Sequence, residues 1–147
     1  MHKRSFTRGF AAGVGVKVLC SVVFTMVLAG IVHAGDPAQA GSVVRDGKFP
    51  TFSGAWFTSQ FLVLIGAVLA GAASSHWSER RSWAAPLALA LLWLVWSAAK
   101  VDAEQPVSVV AFRVSVSSVG ILLGALVYQR WGRESDALYL PKDRKKE

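Results

Sequence analysis

The stretch VVAFRVSVSSVGILLG, residues 109–124, decides the fold, because its pattern fits both a β-strand and a membrane helix and only one of them can form. Its central part, RVSVSSV, alternates in polarity, which is typical of a half-buried β-strand. It also lies within an apolar segment, 107–128, that is long enough to cross a bilayer as a helix. An isolated strand cannot cross a bilayer, because its backbone groups would lack hydrogen-bond partners there. The stretch therefore predicts a membrane helix.

Three further apolar segments, 10–32, 55–73 and 83–99, lead to the same prediction. About 20 residues of helix cross the hydrocarbon core, and the segment 83–99 is only just long enough. The composition agrees, because 17% of the residues are charged, whereas soluble domains usually carry about 25%. We therefore predict an all-α integral membrane protein with four transmembrane helices in a compact bundle.

The distribution of Lys and Arg predicts the orientation of these helices. Eleven of the sixteen lie in the N-terminus 1–9, the loop 74–82 and the basic tail 129–147. Three lie in the segments 33–54 and 100–106, on the other side. Because the side richer in Lys and Arg stays in the cytoplasm, both termini are predicted to be cytoplasmic. The expected location is a bacterial cytoplasmic (inner) membrane, with 33–54 as a periplasmic loop.

The first segment has an alternative interpretation. Its basic start, its apolar run and the small residue Ala34 resemble a cleavable signal peptide. Against cleavage, the run 10–32 is longer than a usual signal core and is interrupted by Lys17. We expect the segment to be retained as the first membrane helix.

Two cations, Lys17 and Arg113, lie inside apolar segments, and no Asp or Glu does. From the rise of a helix, Lys17 lies about 10 Å from the cytoplasmic edge and Arg113 about 9 Å from the outer edge. At such depths a long side chain can snorkel to the headgroups. The alternative is a functional cation that faces a water-filled cavity or a partner subunit. Because the two residues lie in opposite leaflets, they are not expected to form one site.

Small residues at helical spacing predict where the helices pack. Pairs of small residues four positions apart allow two membrane helices to approach closely. One such stripe in the first segment includes Lys17, and one in the fourth includes Arg113. The predicted packing residues are Gly13, Ser21, Gly66, Ala70, Gly71, Ser117, Gly120 and Gly124.

Residues typical of catalysis or metal binding do not cluster in the sequence. His2, His33 and His76 are far apart, and Cys20 is the only cysteine. We therefore expect no enzymatic activity, no cofactor and no metal. The net charge of +7 is attributed to topology rather than to a nucleic-acid partner, because the basic residues cluster between the apolar segments.

Three functions remain open. Small size and small-residue helix faces favour a non-enzymatic accessory or assembly subunit, whose partners are the lipid bilayer and other membrane subunits or further copies of this chain. The alternative is an oligomeric channel or small-solute transporter, biased toward anions by Lys17 and Arg113. A membrane enzyme or redox subunit comes third. In outline only, the chain resembles many small four-helix bacterial inner-membrane proteins.

Overall fold

The computed structural model describes residues 5–35, 54–78, 82–99 and 107–132. These ranges form four α-helices: α1 (Phe6–Gly35), α2 (Gly54–Trp77), α3 (Ala84–Ala99) and α4 (Val107–Val127). A π-helical turn, Tyr128–Gly132, continues α4. Within the described ranges the chain contains no strand. The all-helical prediction, including the helix predicted for 109–124, is therefore confirmed.

Three of the described helices, α1, α2 and α4, are long and apolar enough to cross a membrane. The apolar helix α3 has 16 residues. At 1.5 Å per residue it is about 24 Å long, which is shorter than the hydrocarbon core of about 30 Å. A transmembrane α3 therefore stays a prediction.

Two helices extend beyond the apolar segments that predicted them. The helix α1 begins at Phe6, before the segment 10–32, and α2 continues to Trp77, past the segment 55–73. Hydrophobicity alone predicts that the polar end of α2, residues 74–77, belongs to the loop 74–82. This end lies against α1, where Ser74 and, directly after the helix, Ser78 are buried.

The four helices form a ring in the order α1, α2, α4, α3. Each packs on its two neighbours in the ring, and across the described residues α1 and α4 do not contact each other. The start of α1 meets the end of α2, where the backbone N–H of Ser5 donates to Trp77 O at 3.2 Å. We call this the amino-terminal end of the bundle, and the opposite end the far end.

The helix α4 is joined to α3 by a hydrogen bond in which Ser118 Oγ donates to Ala90 O at 3.0 Å. Ser118→Ala is expected to lower the free energy of unfolding by about 0.6 kcal/mol, the average measured for such bonds in a membrane protein. Ser115→Ala is the matched control, because the exposed Ser115 hydroxyl donates to Ala111 O of its own helix. Unfolding in detergent, followed by circular dichroism, measures both variants. Equal losses in the two variants would contradict a contribution specific to the interhelical bond.

Candidate functional site: an inward-facing lysine beside an open cleft

Lys17 lies in the interface between α1 and α2 rather than on the outer surface of the bundle. Its side chain is 2% exposed, and its Nζ donates to the backbone carbonyl of Val63 on α2 at 3.1 Å. Among the described residues, Val63 O is the one hydrogen-bond acceptor of this ammonium group. The side chain of Lys17 therefore faces the interior of the bundle and not its outer surface.

Close contacts on both sides of Lys17 account for its burial. Toward the amino-terminal end, a Cβ added to Gly13 would lie 2.5 Å from Leu89 Cδ2 and 3.0 Å from Ser74 Cβ. Toward the far end, a Cβ added to Gly66 would lie 2.9 Å from Cys20 Cβ. The missing side chains of these glycines bring α1 and α2 together, and Lys17 is enclosed between the two contacts.

The charge of Lys17 has no acidic partner in the described helices. None of the residues in 5–35, 54–78, 82–99 and 107–132 is an aspartate or a glutamate. A buried cation is costly unless it is paired and hydrogen-bonded, because it has lost its hydration. One neutral carbonyl offsets only a small part of that cost. The described part of the chain therefore leaves the cation uncompensated.

One face of α3 changes from buried to exposed along the helix. Ala85, Leu89, Leu92 and Trp96 share this face, because they lie at positions i, i+4, i+7 and i+11. Ala85 and Leu89 are fully buried, whereas Leu92 and Trp96 are 42% and 56% exposed. The face is therefore covered at the amino-terminal end and open at the far end.

One face of α1 shows the same change. Phe10 and Val14 pack against the core and Lys17 is buried, whereas Ser21 and Thr25, further along the face, are exposed. The hydroxyl of Ser21 donates to Lys17 O at 2.9 Å, and that of Thr25 donates to Ser21 O at 2.7 Å. We call the exposed surface formed by these parts of α1 and α3 the far-end cleft. Ser21 and Thr25 on α1 and Leu92 and Trp96 on α3 belong to it.

Ser21, one of the predicted packing residues, is exposed, and its hydroxyl donates within α1. Gly120 and Gly124 face α2 of the same chain, so they close the bundle internally. The other predicted packing residues are also buried: Gly13, Gly66, Ala70, Gly71 and Ser117.

The side chain of Arg113 lies outside the described residues. Its backbone belongs to α4, next to Phe112, whose ring centroid lies 5.8 Å from that of Trp56 on α2. Because the described parts of α1 and α4 do not touch, Lys17 and Arg113 belong to helices on opposite sides of the ring.

A second polar cluster lies at the amino-terminal end, and the sequence analysis missed it. His76 Nδ1 and the Tyr128 hydroxyl share a hydrogen bond, and their rings meet edge to face with centroids 5.4 Å apart. Nearby in α2, the hydroxyls of Ser74 and Ser75 are buried without a hydrogen-bond partner among the described residues. The predicted topology could have indicated this cluster. When successive helices alternate in direction, the second and fourth segments end on the same side of the membrane, which brings His76 and Tyr128 to one end of the bundle.

The three long apolar helices place the chain in the class of α-helical membrane proteins. Comparisons with protein-family models, with curated proteins and with solved structures find no match to this chain. Within the described ranges, no three His, Cys, Asp or Glu side chains are grouped as metal ligands would be. The functional argument therefore depends on Lys17 and the far-end cleft.

Proposed function

We propose that this protein is a non-enzymatic subunit of a larger complex in a bacterial cytoplasmic membrane. The far-end cleft is the observation that carries the proposal. Helices in a membrane associate through close packing and interhelical hydrogen bonds rather than by exclusion of water. A self-sufficient bundle would therefore be expected to cover the facing surfaces of α1 and α3 over the length of α3. The open half fits a helix that another subunit supplies.

The surface of α1 supports this assignment. Ser21 and Thr25 present small polar side chains in the cleft, and such residues are enriched where membrane helices pack on each other. At Gly15 and Gly30, a Cβ would meet no heavy atom within 4 Å. The helix α1 therefore combines a face used inside the bundle with small residues directed outward.

The orientation in this proposal comes from the Lys and Arg distribution, which favours cytoplasmic termini and four membrane crossings. With both termini in the cytoplasm, the amino-terminal end of the bundle is the cytoplasmic end. The far-end cleft then opens in the periplasmic leaflet, where a partner helix would enter it sideways from the bilayer.

A photocrosslinking amino acid in place of Thr25 tests the proposal in native membranes. We expect a discrete protein adduct from position 25, because this residue lies in the cleft. The matched control is Leu123, which is exposed on α4 and lies outside the cleft. Protein adducts of equal yield from both positions, or only lipid adducts from both, would contradict the proposal.

The inward position of Lys17 favours one alternative, an oligomeric channel or anion-biased transporter. Intramembrane cations that face a bundle interior often mark ion pathways. Under this alternative, purified protein in liposomes would release chloride, and Lys17→Met would stop the release. Under the subunit proposal, the liposomes retain chloride.

A further inference from the structure

We infer that the far-end cleft binds a transmembrane helix of a partner protein, and that this helix carries an Asp or Glu at the depth of Lys17. This partner chemistry rests on the proposed function as a subunit. Three observations carry it: the position of the ammonium group, its lack of a counter-charge in the described helices and the depth at which it lies.

The ammonium of Lys17 lies between α1 and α2, at the depth at which the cleft begins. Gly66 faces Cys20 across the antiparallel pair α1 and α2. Val63 precedes Gly66 in α2, so it lies nearer to the far end than this contact does. Because Nζ bonds Val63 O, the side chain extends toward the far end, to the level at which Ser21 is exposed.

The ammonium group of Lys17 can donate a hydrogen bond to a further acceptor. An ammonium group has three donors, and among the described residues one carbonyl accepts from it. The four-carbon stem is flexible, so Nζ can turn from the α1–α2 interface toward a carboxylate that enters the cleft. A carboxylate would supply the negative charge that the described helices lack, and ionisable groups inside membranes are commonly paired in this way.

A second copy of this chain does not provide the required carboxylate. All nine of its Asp and Glu lie outside the four apolar segments. A homo-oligomer would therefore bring together further intramembrane cations and no acidic residue at their depth. Charge complementarity selects a different protein as the partner.

Lipid headgroups do not reach the ammonium either. Lys17 lies about 10 Å inside the amino-terminal edge of the membrane, and its Nζ is directed away from that edge. The phosphates of the opposite leaflet are separated from it by the far-end half of the bundle. An acidic residue within a transmembrane helix is the anion that reaches this depth from the side.

A synthetic transmembrane helix of Leu and Ala with one central Asp is the probe, and the matched control peptide has Asn at the same position. Energy transfer between labelled peptide and purified full-length protein in liposomes measures the association. We expect the Asp peptide to bind at least about ten-fold more tightly than the Asn peptide, as for other close charge pairs. Lys17→Arg should keep this preference, and Lys17→Met should abolish it.

Thr25→Trp supplies a second variant that leaves Lys17 in place. The indole would fill the cleft, so it should weaken the binding of both peptides. Circular dichroism of each variant verifies that the helices are retained.

Equal binding of the Asp and Asn peptides to the wild-type protein would overturn the inference, as would an Asp preference that survives Lys17→Met. Neither result decides the proposed function, because the adduct formed from position 25 in native membranes does not depend on the charge of the partner. Chloride release that Lys17→Met abolishes would overturn both the partner chemistry and the subunit proposal.

Discussion

Gly71→Ala and Gly124→Ala are each expected to lower the free energy of unfolding by about 3 kcal/mol or more, at the upper end of the range for overpacked cores. A Cβ added to Gly71 would overlap the carbonyl group of Ile121. One added to Gly124 would overlap the carbonyl group of Val68. These are backbone atoms, so no rotamer change relieves the overlap, and α2 and α4 must move apart.

Gly15→Ala and Gly30→Ala are the matched controls in α1. A Cβ at either position would meet no heavy atom within 4 Å, and alanine is the better helix former. The free energy of unfolding should therefore stay the same or rise slightly. Denaturant unfolding in detergent micelles, followed by circular dichroism, measures all four variants. Similar losses at all four glycines would contradict the close approach of α2 and α4.

Lys17→Met is expected to raise the free energy of unfolding of the protein alone by about 1–4 kcal/mol, the range found when buried ionic groups are replaced by apolar ones. In the folded state the cation is buried against the Val63 carbonyl. In the unfolded state the same lysine can reach the headgroups. Methionine has a similar length and is not charged, so it fills the space without this penalty.

Val18→Met is the control for this substitution, because Val18 is exposed on the next position of α1. The Val18→Met substitution should leave the free energy of unfolding almost unchanged. A loss of stability in Lys17→Met with none in Val18→Met would mean that the bond to Val63 O is net stabilising. Lys17 would then be a structural residue and not a binding residue. A gain in stability combined with loss of partner binding is typical of functional sites.

The helical fold could be predicted from residues 109–124, because a bilayer permits only helices and closed barrels. This constraint outweighs the local alternation of RVSVSSV. The close contacts at Gly71 and Gly124 could also be predicted, because the spacing of small residues indicates where a backbone can approach. The spacing does not distinguish a contact within the chain from a contact with another protein, so the facing helix had to come from the structure.

The direction of Lys17 could not be predicted, because hydrophobicity gives the depth of a residue and not the side of the helix that is covered. Ser21 belongs to the same stripe as Gly13 and Lys17, yet it is exposed. The reason is that α3 does not cover this part of α1, which local sequence does not encode. The polar end of α2 was missed for a related reason, because Ser74 is buried by the start of α1 and not by its own hydrophobicity.

If the far-end cleft holds a partner helix through Lys17, the adduct formed from position 25 must depend on this lysine. The decisive experiment is photocrosslinking from position 25 in native membranes, with the wild-type protein compared with Lys17→Met. We expect a discrete protein adduct in the wild type, reduced at least about ten-fold in Lys17→Met, and no such adduct from position 123. An adduct of undiminished yield in Lys17→Met would contradict the role of the charge, and the absence of any protein adduct in the wild type would contradict the cleft as a subunit interface.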